Sequence, residues 1–217
     1  MHNPDYVING GKTIVGALIG GLITVELMKR YIGLRVSTGD LYAIPLALGI
    51  AIGRIGCFLT GLSDNTYGAA SNLPWAINFG DGIPRHPTQL YEAIFLLILI
   101  PLLYRTLRRT VILSGASSNE LAESKDPVSL RSATGPSRNF LLAPRDSGRG
   151  TRPGDAFKLF MVAYASFRFL CDFIKPYPRI FLGLGGIQWA CVLLLLYYAS
   201  DIARWLRSMS ARDAASA

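Results

Sequence analysis

The sequence predicts an all-α fold, a polytopic bundle of about five transmembrane helices with its N-terminus outside and its C-terminus in the cytoplasm. Composition is the first reason. Of 217 residues, 51% are hydrophobic and only 17% charged, with a mean hydropathy of +0.34. A soluble domain of this length carries more charge. The second reason is length: five apolar segments are long enough to cross a bilayer, at 11–28, 40–60, 87–104, 155–174 and 183–203. The third is chemical. Arg54 and Arg168 each lie inside one of these segments. A guanidinium at membrane depth costs between roughly 2.5 and well over 10 kcal/mol, so it is kept where it faces a partner or a substrate. Its planar fork suits a phosphate or a carboxylate.

The spans follow in order. Pro45 and Pro101 lie inside the second and third, where neighbouring helices can satisfy the freed carbonyls. Gly16 and Gly20, and Gly49 and Gly53, form small-xxx-small pairs that suit ordinary close helix packing. Lys29, Arg30 and Arg35 follow the first span, Arg105, Arg108 and Arg109 the third, and Arg204, Arg207 and Arg212 the fifth. The alternate loops, 61–86 and 175–182, are less basic, although Lys175 and Arg179 reduce the contrast. Basic loops stay cytoplasmic, which sets the orientation and accounts for the net charge of +8 without nucleic acid.

Residues 110–153 are rich in Ser, Pro, Gly and Arg and lack apolar periodicity. They read as a disordered cytoplasmic loop. The chain thus divides into a membrane part with three spans (1–109), this loop (110–153), and a second membrane part with two spans and a tail (154–217). No basic segment followed by an apolar run opens the chain, so no cleavable signal is expected. Cys57, Cys171 and Cys191 form neither a CxxC nor a Cys/His cluster, which supports neither a disulfide framework nor a metal site.

On this topology the unusual polar residues fall at one depth, the outer leaflet. Arg54 lies toward the outer end of the second span. Arg85, His86, Gln89 and Glu92 lie at the outer mouth of the third, and Arg168 and Asp172 near the outer end of the fourth. Tyr164, Arg168 and Asp172 are spaced by four and share a helix face, as do Gln89 and Glu92, spaced by three. Arg168 and Asp172 have the spacing to neutralise each other. Glu92 is a candidate partner for an arginine, and Gln89 for the start of a helix. Arg54 has no acid nearby on its own helix, so its partner comes from another helix or from a ligand.

The segments GRIGCFLTG (53–61), RHPTQLYE (85–92) and AYASFRFLCDF (163–173), with NGGKTIVGALIGG (9–21) less closely, resemble the prolipoprotein diacylglyceryl transferase family, in family order. The resemblance implies an integral enzyme of the bacterial inner membrane with its active face periplasmic. Such an enzyme moves the diacylglyceryl group of phosphatidylglycerol to the lipobox cysteine thiol of a prolipoprotein. Glycerol phosphate leaves, and no metal or soluble cofactor is required. Arg54 and Arg168 would bind the phosphate, Tyr164 would hydrogen-bond within that site, and Gln89, Tyr91 and Glu92 would shape the cavity and hold the arginines. Gly68 matches the glycine that closes the family's loop after the first arginine, and Asp172 would line the substrate site.

Three positions depart from the family pattern. Val15 stands where the family has a histidine, Cys57 where it has an asparagine, and Asp64 is the substitute for a displaced acid. Two helices expected before the first motif are also absent from the sequence. With Val15 unable to accept a proton, His86, Glu92 and Asp172 are the candidate bases. Loss of a dedicated base costs about 10²–10⁴ in rate. Two further readings compete: a paralogue that binds anionic phospholipid or lipoprotein without transfer, and a small transporter. The transporter is disfavoured because no internal repeat is visible.

Overall fold

The computed structural model describes residues 13–34, 37–123, 152–176 and 182–216. The expected basic residues Arg35 and Arg179, the segment 9–12 of the first motif and most of the 110–153 loop lie outside these residues. Six helices form the described fold: α1 (Ile14–Tyr31), α2 (Asp40–Thr60), α3 (Thr88–Glu123), α4 (Asp155–Cys171), α5 (Gly186–Tyr197) and α6 (Ala199–Ser216). A small hairpin of β1 (Ile77–Asn78) and β2 (Pro84–Arg85) lies between α2 and α3.

Two helical segments are long and apolar enough to cross a membrane, Asp40–Asp64 and Thr88–Thr110. A third span results if α5 and the start of α6, bent by 59° at their junction, count as one. These correspond to the second, third and fifth expected spans. The other two expected spans do not meet the same requirement. Helix α1 carries Glu26, Lys29 and Arg30, and α4 ends after 17 residues. Helix α3 has 36 residues, about 54 Å at 1.5 Å per residue, and so continues to Glu123, into the segment expected as a loop.

Local chemistry places the helix ends. The Thr13 side chain accepts from the Gly16 N–H at 2.9 Å and caps α1, whose last turn carries Lys29 and Arg30 against the helix dipole. The cap of α4 comes from another helix. Asp40, at the start of α2, accepts through Oδ1 from the N–H groups of Ala156 (3.0 Å) and Phe157 (3.1 Å), and through Oδ2 from that of Gly154 (2.6 Å). The starts of α2 and α4 are therefore pinned together. Gly39 lets them approach, since a Cβ there would lie 2.8 Å from the Phe157 ring.

The core is built from small and large residues in alternation. Helix α2 buries Ala43, Ala47, Ala51 and then Arg54 along one stripe. Leu96, Leu99 and Leu103 of α3 and Phe160, Met161 and Ala165 of α4 belong to the same core, with Cys191 and Leu194 of α5. The outward faces carry Ile52, Leu59, Ile98 and Leu193, all exposed, the pattern expected when lipid rather than water is the solvent. The glycine pairs do not mark close helix contacts here. A Cβ at Gly20, Gly49 or Gly53 would meet nothing within 4 Å, and one at Gly16 would meet only the Thr13 side chain.

Candidate functional site

The alanine stripe of α2 ends in Arg54, and this sets the depth of the site. Arg168 lies on the last turn of α4, and Glu92 on the second turn of α3. Because α2 and α4 are pinned at their starts by Asp40, their two arginines arrive at the same level. The carboxylate of Glu92 stands between them. Arg168 Nη1 donates to Glu92 Oε2 at 3.0 Å, and the Tyr164 hydroxyl donates to Glu92 Oε1 at 2.6 Å. Arg54 Nε lies 2.9 Å from Glu92 Oε1. That contact is an ion pair by distance, but its N–H is not directed at the oxygen. All four side chains are buried, with Glu92 and Tyr164 each only 1% exposed.

Two guanidiniums face one carboxylate here, a concentration of charge in surroundings that strengthen every electrostatic contact. Several donors around this charge remain open. Arg168 Nε has no hydrogen-bond partner among the described residues, and neither does either end of the buried Gln89 amide. Buried polar atoms of this kind are uncommon and call for an explanation. An anion with several acceptor oxygens would supply one. The Cys57 thiol, one turn beyond Arg54, lies 4.0 Å from Arg54 Nη1.

Of the residues expected at the site, Arg54, Glu92, Tyr164 and Arg168 are in direct contact, with Gln89 buried on the turn before Glu92. Arg168 pairs across helices with Glu92, which the sequence offered as a partner for an arginine, and has Asp172, the acid at its own spacing, as a further electrostatic neighbour. Asp172 is buried at the end of α4, close to Arg168. His86 and Tyr91 form a different group. His86 Nδ1 lies 3.2 Å from the Tyr91 hydroxyl, which also accepts from Trp75 Nε1 at 2.9 Å. Arg85 pairs with Asp81 at 2.6 Å and stacks over Tyr67. Gly68 has a steric reason to be glycine. Its N–H reaches the His86 carbonyl at 2.9 Å, and a Cβ there would lie 2.7 Å from His86 Cβ. It lets the loop 66–71 pack directly on the entrance to α3. Asp64 takes a hydrogen bond from Thr66 in the same loop. Val15 is part of the apolar core.

Sequence reasoning missed Lys175. It was read as a loop charge, yet it is buried at 6% exposure and has Arg168, Glu92, Arg54 and Asp172 as electrostatic neighbours. Its spacing, seven residues after Arg168 and three after Asp172, continues the polar face of α4 through the short 3-10 turn Asp172–Ile174. That signal was available in the sequence.

Comparison with known proteins bears on this arrangement. The family model of prolipoprotein diacylglyceryl transferases matches residues 4–118. A protein of Bordetella avium named phosphatidylglycerol–prolipoprotein diacylglyceryl transferase is 30% identical over 201 residues, covering 88% of this chain and 60% of its own. One of the same name from Nitratidesulfovibrio vulgaris is 30% identical over 214 residues, covering 96% of this chain and 65% of its own. A third, from Pasteurella multocida, is 37% identical over 103 residues, covering 43% and 36%. The chain spans about 60% of the length of the first of these relatives. No solved structure matches.

Proposed function

The chain belongs to the prolipoprotein diacylglyceryl transferase family, and from that premise we propose that it transfers the diacylglyceryl group of phosphatidylglycerol to the lipobox cysteine of prolipoproteins. The reaction would take place at the periplasmic face of the bacterial inner membrane. The observation that carries this reading is the convergence of Arg54 and Arg168 on Glu92 from two different helices, with donors left over. A phosphodiester fits two converging guanidiniums and open N–H groups. The thiol sulfur would attack the glycerol carbon, and the C–O bond to phosphate would break. The leaving glycerol phosphate would gain a second negative charge beside the two guanidiniums, which is where fixed cations lower a barrier. Glu92 would hold both arginines at that point, and Tyr164 would fix Glu92. The Gln89 amide, which has no partner among the described residues, would take up a headgroup oxygen.

Val15 favours a second reading. At the position of the family's histidine it offers only packing, and it is 2% exposed in the core. A paralogue that binds anionic phospholipid without transferring it would need the arginines and not the histidine.

Purified protein in detergent, supplied with phosphatidylglycerol labelled in its acyl chains and a lipobox peptide, separates the two. Label on the peptide thiol, lost in Arg54→Ala and Arg168→Ala, is the expected result. Arginine-dependent lipid binding with no label on the peptide would replace transfer by binding alone.

A further inference from the structure

The thiol must lose a proton during transfer, and the groups that the sequence offered as acceptors are poorly placed to take it. Glu92 is already engaged by Arg54, Arg168 and Tyr164. His86 lies against Tyr91, in a group separate from the arginines. Asp172 is a close neighbour of both Arg168 and Lys175, where a carboxylate serves as their counter-charge. Val15 has no acid–base chemistry.

On the transferase reading, we infer that the Lys175 amine accepts the thiol proton and, as an ammonium, then neutralises the departing phosphate. Position supports this first. Lys175 is buried where α4 unwinds, its backbone N–H bonded to the Asp172 carbonyl at 3.3 Å. The charged groups around it come from every helix that builds the site: Arg54 from α2, Glu92 from α3, and Arg168 and Asp172 from α4. Lys175 follows the fourth expected span, and burial, with Arg168 next in weight, lowers its amine to about 8. An amine in that range is near the optimum for a general base at working pH.

Charge balance supports it next. With Lys175 neutral, Arg54 and Arg168 are matched by Glu92 and Asp172. The bound phosphodiester adds one negative charge. In the reaction the S–C bond forms and the C–O bond breaks, with its electron pair going to the phosphate oxygen. The phosphate becomes a monoester dianion, and the S–H proton moves to Lys175 Nζ. The site therefore gains one negative charge on the phosphate and one positive charge on the amine together. An arginine at 175 would keep a positive charge but could not act as the acceptor, because a guanidinium does not deprotonate in proteins.

The test uses the full chain in detergent and has two readouts. The first is calorimetry of glycerol phosphate binding at pH 8, in buffers of different ionisation enthalpy, which counts protons taken up. Wild type is expected to take up about half a proton per site, because bound anion raises an amine that is half protonated at that pH. Lys175→Arg is expected to bind with no uptake. The second is transfer to a lipobox peptide across pH 6 to 9.5. Wild type is expected to rise through about pH 8, and Lys175→Arg to lose about 10²-fold with its lipid binding retained. Lys175→Arg transferring at the wild-type rate, or taking up the same protons, would overturn the inference. So would a wild type that takes up none. Uptake through Lys175 in a wild type that transfers nothing would keep the proton-accepting amine and remove the transferase reading.

Discussion

Arg168 Nη1 meets Glu92 Oε2 at 3.0 Å, joining residues on α4 and α3 that are both almost fully buried. Arg54 takes the other carboxylate oxygen at 2.9 Å, so one acid ties together arginines from two helices. Glu92→Ala removes the carboxylate that the two buried guanidiniums share and leaves Asp172, beside Arg168, as the acid near them. Breaking a buried ion pair costs about 3–5 kcal/mol. The expected outcome is a large drop in the thermal unfolding midpoint in detergent, with Glu92→Gln intermediate because it keeps hydrogen-bonding atoms. A midpoint unchanged in Glu92→Ala would mean that another group matches the arginines.

Tyr164→Phe removes the hydroxyl that donates to Glu92 Oε1 at 2.6 Å and leaves the ring in the core. A buried hydrogen bond to a charged acceptor contributes about 1.5–3 kcal/mol. A midpoint lowered on that scale, with phosphatidylglycerol affinity within a few-fold of wild type, is expected for a residue that positions Glu92. Loss of lipid binding at unchanged stability would place the hydroxyl on the lipid instead.

Arg54→Lys and Arg168→Lys preserve charge and remove the planar fork. Each arginine must serve Glu92 and an anion together, which a single ammonium does less well. Each variant is expected to lose at least about tenfold in binding to phosphatidylglycerol vesicles, equivalent to about 1.4 kcal/mol. Binding to phosphatidylcholine vesicles should be unaffected. Equal affinity for phosphatidylglycerol in the lysine variants would show that point charge alone holds the headgroup.

The apolar helices and the meeting of Arg54 with Arg168 were legible because charge inside an apolar run has few physical explanations. The Tyr164 and Arg168 face was legible from its spacing of four. Glu92 was offered as a partner for an arginine, but spacing alone gave Arg168 the nearer Asp172, and only the packing of α3 against α4 joins Arg168 to Glu92. Lys175 was legible from its spacing after Arg168 and Asp172, but its position after a span, where a lysine normally reaches solvent, argued against burial. The bend between α5 and α6 was hidden, since hydropathy runs on through Tyr197 and Tyr198. Ion pairs hold the bent segment: Arg204 to Asp155 at 2.7 Å, and Lys158 to Asp201 at 2.9 Å.

Asp40→Ala tests the element that sets the arginines at one level. Its carboxylate accepts from three backbone N–H groups at the start of α4, and alanine leaves them without it. Loss of a helix cap costs about 0.5–2 kcal/mol. A lower unfolding midpoint is expected, together with weaker lipid binding at the far end of the same helices. Asp40→Asn should recover part of both. Weaker stability with lipid affinity unchanged would mean that the site holds its geometry without this tie.

The pH dependence of anion binding follows from Lys175, whose buried amine titrates at about 8. Below that value the amine is an ammonium and adds a positive charge to the two arginines. Above it that charge is gone. Glycerol phosphate itself stays a dianion throughout this range, because its second pKa is about 6. Affinity for glycerol phosphate is therefore expected to fall about tenfold from pH 7 to pH 9, as linkage between binding and one proton requires. Lys175→Arg should flatten this profile while leaving the affinity at pH 7 nearly intact, and Lys175→Met should be flat and weak throughout. Equal wild-type dissociation constants at pH 7 and pH 9 would separate Lys175 from the anion site.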